Sequence, residues 1–548
     1  MDLTNGRSME LLRLLGLADL CRGLEGAVSP TEKFESMFVT SLGPEGKLLG
    51  KWSVGCVEEQ RAAIERGNDG SQPVEPGQRC SQIVFEEWMR GLILRRDKVR
   101  FQGGWRYVGH VEEEDRVRAR FVDGDGKEHT AIGAYLVGCD GGRSAVRKQA
   151  GIRMVGGQVP VRLYLVHFRS KHLASALRFG RFWHAFPAGG GFVIDQDGRD
   201  TFTAHYPLAE GESSASLDPR EVVYRVLGGY AGRWEVDIDS VLVHSEWQPS
   251  FGIAEKYATD AGRVVLAGDA AHRSPPHGGY GLNSGIVDAV DLSWRLAAVM
   301  KGYGMGYLLK AYGIERRPMM MRALRRSHRH LMEHVGLGQL QGQHWDVLNS
   351  EGEKGEEARR RLEEYIGVSG PDTLDRGIEM DLRYEDSPCV WPDGSEGEPW
   401  DVKRYCPSTV PGRRAPHVFL RDGATSVYDL FGREWTLVQF AADGREADVS
   451  SLLEAAGRVG FPVKHVVLRN EEHARKIWER DLVLVRPDTH VAWRGNEAPE
   501  LSEAEQILAV VAGRTIRPGY TEPSNSEESD QTASTTSRIC TVRNSHPN

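Results

Sequence analysis

Apolar residues follow two different spacings along the chain, and each spacing predicts a different kind of element. Around residues 8–20 and 82–94 they recur every three or four positions, which predicts helices. Between residues 155 and 250, short apolar runs are separated by glycine and aspartate, which predicts a mostly antiparallel sheet. Residues 255–335 return to a mixed helix and strand pattern. We therefore expect an α/β protein that carries an inserted α+β sheet unit.

Composition shifts divide the chain further. After residue 345 comes a charged helical segment, then a stretch rich in proline and glycine, then a second unit of alternating strands and helices. That unit ends in a predicted hairpin around Asp488-Thr489 and a closing helix. The last residues are rich in serine, threonine, glutamate and asparagine, and we predict them to be disordered. The expected regions are residues 1–153, 154–254, 255–345, 346–412, 413–517 and 518–548.

Composition and charge exclude several classes of protein. The 548 residues include 69 Lys and Arg against 78 Asp and Glu, a net charge of −9, which argues against a general nucleic-acid binder. No apolar stretch is long enough to predict a membrane span. The seven cysteines include no C-x-x-C pair, so we expect no metal site and reduced thiols in a cytoplasmic protein.

The most informative segment is residues 263–302, a predicted strand followed by a glycine-rich loop and a helix. Gly268 ends the strand, and Asp269 follows at its carboxyl end, where α/β sheets bind ligands. Asn283 or Ser284 is expected to cap the helix. Because backbone amides at a helix start favour negative charge, the loop is a candidate anion or cofactor cradle. The simpler interpretation is an ordinary strand–loop–helix whose glycines only make turns.

Residues 135–151 show the same pattern of a strand, a glycine-containing turn and a helix. A predicted strand ends at Gly138, Asp140-Gly141 follows, Ser144 can cap the next helix, and Arg147 lies in its first turn. This spacing suits a bound pyrophosphate, whereas an Asp-Gly pair alone would indicate only a turn.

These two segments resemble the FAD-dependent aromatic hydroxylases, flavoprotein monooxygenases with the p-hydroxybenzoate hydroxylase fold. The matching positions are Asp140, Gly141, Ser144, Arg147, Gly268, Asp269, Pro276, Gly279, Gly281 and Asn283, with further similarity at residues 7–17, 79–88 and 312–318. The resemblance covers residues 1–340. It implies a Rossmann-like FAD/NAD(P)-binding domain, a substrate-binding sheet, and a flavin contact from Gln82.

Residues 413–515 resemble the thioredoxin-like C-terminal domain of the phenol hydroxylase branch. No cysteine lies between Cys406 and Cys540. Thioredoxin chemistry is therefore excluded, and an interface or scaffold role is the better interpretation.

The resemblance implies an enzyme that uses FAD with NADPH or NADH as co-substrate. Reduced flavin and O2 would give a C4a-hydroperoxide that hydroxylates a phenolic or polyketide-like aromatic compound. Asp269 would hold the ribityl chain, and the loop with Gly268, Gly279, Gly281, Leu282 and Asn283 would supply backbone donors to the flavin ring. Asp140, Gly141 and Arg147 would organise the pyrophosphate region, and a homodimer is compatible with the family.

One departure from the family matters. The chain contains no G-x-G-x-x-G, the motif that cradles the ADP part of FAD, so the Rossmann-like domain is expected to be incomplete at its N-terminus. A misassigned start is one explanation. A non-catalytic remnant that acts through partner binding is another, and Baeyer–Villiger-type oxygen insertion is an alternative outcome for an active flavoenzyme.

The substrate base cannot be read from the sequence. Candidates are Asp2, which precedes a helix start that resembles the phenol-contacting region, His205 and Tyr206 on a predicted sheet strand, and His277 in the flavin loop. A structural role is the simpler interpretation of each. The arginines between residues 316 and 326 are expected to form a solvated helix face.

Overall fold

The computed structural model describes residues 2–442 and 446–521. Most of the predicted disordered tail, residues 522–548, lies outside this part of the chain. The strands are β1 Leu3–Thr4, β2 Phe34–Val39, β3 Leu48–Val54, β4 Gln78–Arg79, β5 Arg106–Glu112, β6 Val117–Val122, β7 Glu128–Gly133, β8 Leu136–Gly138, β9 Met154–Gln158, β10 Leu163–Arg169, β11 His184–Pro187, β12 Phe192–Asp195, β13 Thr201–Pro207, β14 Ser240–Trp247, β15 Ser250–Ala254, β16 Val264–Leu266, β17 His272–Arg273, β18 Trp435–Ala441, β19 Val463–Arg469, β20 Leu482–Val485 and β21 Val491–Gly495. The helices are α1 Gly6–Leu14, α2 Ala18–Arg22, α3 Val57–Gly67, α4 Gln82–Leu94, α5 Ala145–Gln149, α6 Lys171–Ser175, α7 Pro219–Gly228, α8 Tyr280–Met300, α9 Gly306–Gln343, α10 Glu353–Ser369, α11 Arg376–Glu379, α12 Ser450–Val459, α13 Glu472–Trp478 and α14 Leu501–Val511.

The largest sheet has seven strands in the order β14-β10-β13-β12-β11-β2-β3. Its pairs are antiparallel except β11 with β2, so the prediction of a mostly antiparallel sheet is confirmed. Two of its strands come from residues 34–54, far from the others in sequence. One face packs on α7 through a buried cluster that includes Val166, Phe202 and Val223. The opposite face is partly covered by α9 and α10, whose Leu337 and Ile366 belong to one apolar cluster with Phe38 and Phe186.

A short parallel pair lies at the centre of the cofactor-binding part. β8 pairs with β16, and Leu266 is opposite Gly138, so both strands end at the same edge. The strands lead directly into the segments that carry Asp140 and Asp269. This common edge explains why the two sequence motifs belong to one site.

The C-terminal unit is a four-stranded sheet in the order β19-β18-β20-β21, with α12, α13 and α14 around it. The hairpin β20–β21 forms where the sequence predicts it. The core of this unit extends into the rest of the molecule, since Trp294 of α8 packs edge-on against Trp435 at 5.8 Å.

Three local predictions are wrong. The single helix expected over residues 8–20 is two helices, α1 and α2, because Gly16 adopts a positive φ of 71° between them. Neither Asn283 nor Ser284 caps α8, which begins earlier, at Tyr280. The arginines of α9 are not uniformly solvated: Arg316 and Arg326 are buried and paired with Asp288 and Asp375.

Among the described residues, no helix is both long and apolar enough to cross a membrane.

Candidate cofactor and substrate site

The carboxyl end of β16 presents bare backbone and a free carboxylate. Gly268 has a φ of +59°, and its N–H donates to the Asp288 carboxylate at 3.0 Å. The Asp269 side chain is exposed and has no hydrogen bond or ion pair with the described residues. A carboxylate in this position is available to accept hydrogen bonds from the hydroxyl groups of a ligand.

The loop before α8 is also bare. Gly278 and Gly279 have φ values of +82° and +68°, which favour glycine. A methyl group added at Gly279 would meet no atom within 4 Å, whereas one at Gly278 would lie 2.4 Å from the ring of Tyr280. No side chain caps the start of α8, and Gly281 and Leu282 lie partly exposed in its first turn. The helix start can therefore receive a negatively charged or carbonyl group.

This loop is fixed from behind by a buried carboxylate. Tyr280 donates its hydroxyl hydrogen bond to Asp375 at 2.6 Å, and Asp375 also accepts from Arg326 at 2.6 Å and contacts His330 at 2.7 Å. Burial opposes the charge of Asp375, but its bonds to His330, Arg326, Lys403 and Tyr280 lower its pKa overall. The loop is thus held by Asp375 on one side, while Gly279 leaves space on the other.

The Asn283 side chain makes hydrogen bonds within the protein and has a structural role. Its Oδ1 accepts from the Asn5 N–H at 2.9 Å and the Ser8 hydroxyl at 2.7 Å, and its Nδ2 donates to the carbonyls of Leu3 and Gly279. These bonds tie α1 to α8. Only the backbone of Asn283 remains for a cofactor.

The segment after β8 is organised in a similar way. Asp140 accepts from the Ser144 hydroxyl and from the first amides of α5, at 2.5 to 3.1 Å, and Gly141 has a φ of +78°. Arg147 is buried and donates to the Ala270 carbonyl at 2.9 Å. Arg147 therefore locks the Asp140 segment to the Asp269 segment, so the structure brings the two sequence motifs together.

Gln82 lies at the start of α4. It is exposed, and its side-chain amide donates to Glu86 of the same helix at 2.6 Å. No described contact links it to the glycine loop.

The loop and strand ends fit the flavin and ribityl parts of FAD. They offer uncrowded backbone at Gly279 and Gly141, a free carboxylate at Asp269, and an uncapped helix start. The strand edge is less complete. In residues 2–442 and 446–521, β8 pairs with β16 alone, and its Val137 is 37% exposed. Parallel strands are usually covered on both sides.

The face of the seven-stranded sheet opposite α7 is aromatic. His184 and Phe186 of β11, Phe192 of β12 and His205 of β13 share this face, and His205 stacks on Phe192 at 4.3 Å. Burial lowers the pKa of His205 to about 3 and that of His184 to about 4, so both imidazoles are neutral at pH 7. A flat, apolar ligand suits such a surface.

Tyr206 faces the other way. Successive residues of a strand point to opposite faces, so Tyr206 packs with the cluster around α7. His244 belongs to that side too, since it contacts the Tyr164 hydroxyl at 2.9 Å. Of the two neighbouring strand candidates, only His205 lies on the aromatic face.

Asp2 is buried and already paired. Its Oδ2 accepts from Trp183 Nε1 at 2.8 Å and from Arg79 Nη2 at 3.2 Å. Its carboxylate therefore holds the N-terminal segment against β11.

His277 brings together residues that the sequence analysis missed. Its ring lies 5.3 Å from that of His334 on α9, and His334 lies 5.0 Å from Phe186 and 3.8 Å from the Asp372 carboxylate. The spacing of His330 and His334, one helical turn apart, is a sequence signal that points toward one helix face.

The fold and the two glycine-rich strand ends define a protein that binds a dinucleotide-type cofactor beside an aromatic-lined face. Comparison with known proteins specifies the class. Residues 2–327 match the FAD binding domain family, and residues 408–515 match the C-terminal domain of aromatic-ring hydroxylases. The chain belongs to the FAD binding domain family.

Relatives agree with this assignment. The FAD-dependent monooxygenase apdD of Emericella nidulans is 37% identical over 94% of this chain and 84% of its own length. The 2,4-dichlorophenol 6-monooxygenase of Cupriavidus pinatubonensis is 29% identical over 93% of this chain and 88% of its own. The rebeccamycin biosynthetic enzyme RebC with reduced flavin superposes with a TM-score of 0.76, at 28% identity, over 94% of this chain and 91% of RebC. The protein is an FAD-dependent monooxygenase.

Proposed function

We propose that this monooxygenase hydroxylates a phenolic or polyketide-like aromatic compound, with NADPH or NADH as the source of electrons. One contact set supports the proposal most directly. His334 contacts both His277 of the glycine loop and Phe186 of the aromatic face. The cofactor loop and the aromatic face therefore lie next to each other. The relative named for 2,4-dichlorophenol supports a phenolic substrate.

When FAD is bound, it supplies electron transfer from NAD(P)H and activation of O2. The chain's own residues do the rest. Asp269 would accept hydrogen bonds from the ribityl hydroxyls of FAD, and the start of α8 would donate to the carbonyl edge of the flavin ring. The rings of Phe186 and Phe192 orient the aromatic substrate and keep water away from it.

The first test is the visible absorption spectrum of the purified chain after addition of FAD and removal of the excess. Retained flavin bands are expected. Substrate-dependent oxidation of NADPH or NADH, and a product 16 mass units heavier for 2,4-dichlorophenol or an anthraquinone substrate, should follow. Mass alone does not separate hydroxylation from oxygen insertion next to a carbonyl, so the product structure must show a phenolic hydroxyl.

A colourless protein would contradict cofactor binding by the chain as given. A flavin-loaded protein that consumes NADPH without any hydroxylated product, over a panel of phenols and anthraquinones, would contradict the proposed substrate class.

A further inference from the structure

We infer that His277, His334 and Asp372 form a proton relay that converts the bound phenol to its phenolate. The inference rests on the proposed function, because it assumes a phenolic substrate on the aromatic face. It assigns a role to two residues outside the glycine motifs, one on α9 and one after α10.

The first support is the free nitrogen of His277. Its Nδ1 is buried and has no hydrogen-bond partner among the described residues. A buried polar atom without a partner is costly, so such an atom in a site points to a missing ligand group. A phenolic hydroxyl is a suitable donor, and His277 lies beside Gly278 and Gly279, where the cofactor loop opens.

The second support is the position of His334. It lies between the His277 ring, the Phe186 ring and Asp372, with only 16% of its side chain exposed. The Trp52 ring lies edge-on to the His334 ring at 5.6 Å. His334 is therefore the group that lies between the glycine loop and the Asp372 carboxylate.

The third support is the charge balance around these rings. Burial opposes the charge of Asp372, but its interaction with His334, and more weakly with His330 and His184, lowers its pKa overall. Burial lowers the pKa of His277 to about 3, and His334, His330 and His184 act in the same direction, while Asp372 opposes them. His330 is itself engaged by Asp375 and Glu333, and Asp2 and Arg79 act on His184. A neutral His277 can accept a proton but does not keep it. The His334 ring lies 5.3 Å from the His277 ring and 3.8 Å from the Asp372 carboxylate, so it is placed between the two groups.

The proton count is simple. The phenolic O–H bond breaks and an N–H bond forms at His277 Nδ1, while the proton on His277 Nε2 passes to His334. The products are a phenolate and a His334 imidazolium next to the Asp372 carboxylate. No electron changes hands, and the net charge of the site stays constant.

Asp2 and His205 are the competing bases. The Asp2 carboxylate is paired with Arg79 and Trp183, and His205 is stacked on Phe192 and contacts Trp247 Nε1 at 3.3 Å. Neither has a carboxylate-backed partner beside the glycine loop.

The relay can be tested without turnover. The purified chain is given FAD and saturating 4-nitrophenol, whose phenolate absorbs visible light and whose phenol does not, and absorbance is followed against pH without NADPH. We expect the bound probe to ionise at a lower pH than the free probe. H334Q and D372N should raise the apparent pKa of the bound probe by about one unit or more relative to wild type. H277Q should slow the approach to ionisation equilibrium after a pH jump.

The matched control is H244Q, on the α7 side of the same sheet, which should leave the probe titration unchanged. Thermal melting of each variant checks the fold. Failure of wild-type protein to bind or shift the probe would overturn the relay, as would a wild-type titration in folded H334Q and D372N. Hydroxylated product formed with an unshifted probe would reject the relay and leave the proposed function intact.

Discussion

At the scale of single residues, the two loop glycines play different parts. Gly278 leaves room for the Tyr280 ring, so a glycine is needed there for the packing of the protein. Gly279 leaves open space where a side chain would be, which is the space that a ligand would fill. The glycine most informative about function is therefore the one that nothing crowds.

Gly279→Ala should reduce FAD affinity while leaving the fold in place. Alanine at its positive φ costs about 1 kcal/mol of stability, and the added methyl group occupies the cofactor space. The measurement is titration of flavin fluorescence. Gly262→Ala is the control, since Gly262 has a φ of +78° and an equally open surrounding. Equal FAD affinity in the two variants would show that the loop does not contact the flavin.

A cluster of buried carboxylates lies where the C-terminal unit meets α8 and α9, and its role is structural. Asp291, Glu315 and Asp488 meet there and are paired with Arg295 and Arg486. Three acids against two guanidiniums favour one retained proton. Burial raises the pKa of Asp291 to about 7, and Asp488 and Glu315 add to the rise against the attraction of Arg295. The paired arginines make this cluster a structural junction.

Asp291→Asn should therefore change how stability depends on pH. A carboxyl whose folded pKa lies above its unfolded value binds more protons when folded, so its stability contribution falls as pH rises from about 4 to about 7. Urea unfolding at pH 5 and pH 8 should show the variant gaining on wild type at the higher pH. Asp115→Asn, at an exposed position, should show no such trend. A parallel pH dependence of wild type and Asp291→Asn would place the proton elsewhere.

At the scale of elements, α1 is held by the hairpin β20–β21 rather than by its own short length. Arg7 donates to Thr489 Oγ1 at 2.9 Å and to the Asp488 carbonyl at 2.8 Å. Glu10 is fully buried between Arg7 and Arg414. Burial opposes its charge, but the two arginines lower its pKa overall, so Glu10 is ionised and its stabilising effect is lost as pH falls.

Glu10→Gln should destabilise the protein by about 3–5 kcal/mol, because two buried guanidiniums lose their carboxylate. Asp429→Asn is the comparison. It breaks the half-exposed pair of Asp429 with Arg13, and such pairs contribute about 0–1 kcal/mol. Denaturant unfolding of both variants measures the difference. Similar losses of unfolding free energy in the two variants would mean that water solvates the arginines when the Glu10 charge is removed.

At the scale of the whole molecule, the C-terminal unit is part of the catalytic body. Trp294 and Leu308 belong to the same apolar cluster as Trp435 and Leu452. The Arg486 guanidinium reaches across to Glu315 of α9 at 2.8 Å. The unit lacks thioredoxin chemistry and instead completes the core behind α8, which carries the candidate site.

A chain that ends at residue 407 should therefore fail to fold. It would expose Trp294 and Leu308 and leave the Glu315 carboxylate without Arg486. We expect loss of soluble protein, or loss of a cooperative thermal transition if some remains soluble. A chain that ends at residue 521 is the control and should melt like wild type, since the removed residues are polar in sequence. A cooperatively folded 1–407 chain would show that the two parts are independent.

The sequence by itself determined the class of fold and the location of the glycine-rich loop before α8. Helix α4 has the predicted bounds, and β16, the glycine loop and the hairpin β20–β21 lie where the pattern predicts them. These features depend on local rules: apolar period, turn residues and helix starts. The spacing of apolar residues and glycines along the chain is therefore enough to predict these features.

The tertiary structure decided which side chains share a face and which charges are buried. Tyr206 and His205 are neighbours in sequence and lie on opposite faces, because the sheet packs against α7 on one side. His277, His334 and Asp372 are spread over almost a hundred residues of the chain and meet because α9 passes behind the glycine loop. Local patterns cannot encode such contacts, since burial and pKa depend on partners brought together only by folding.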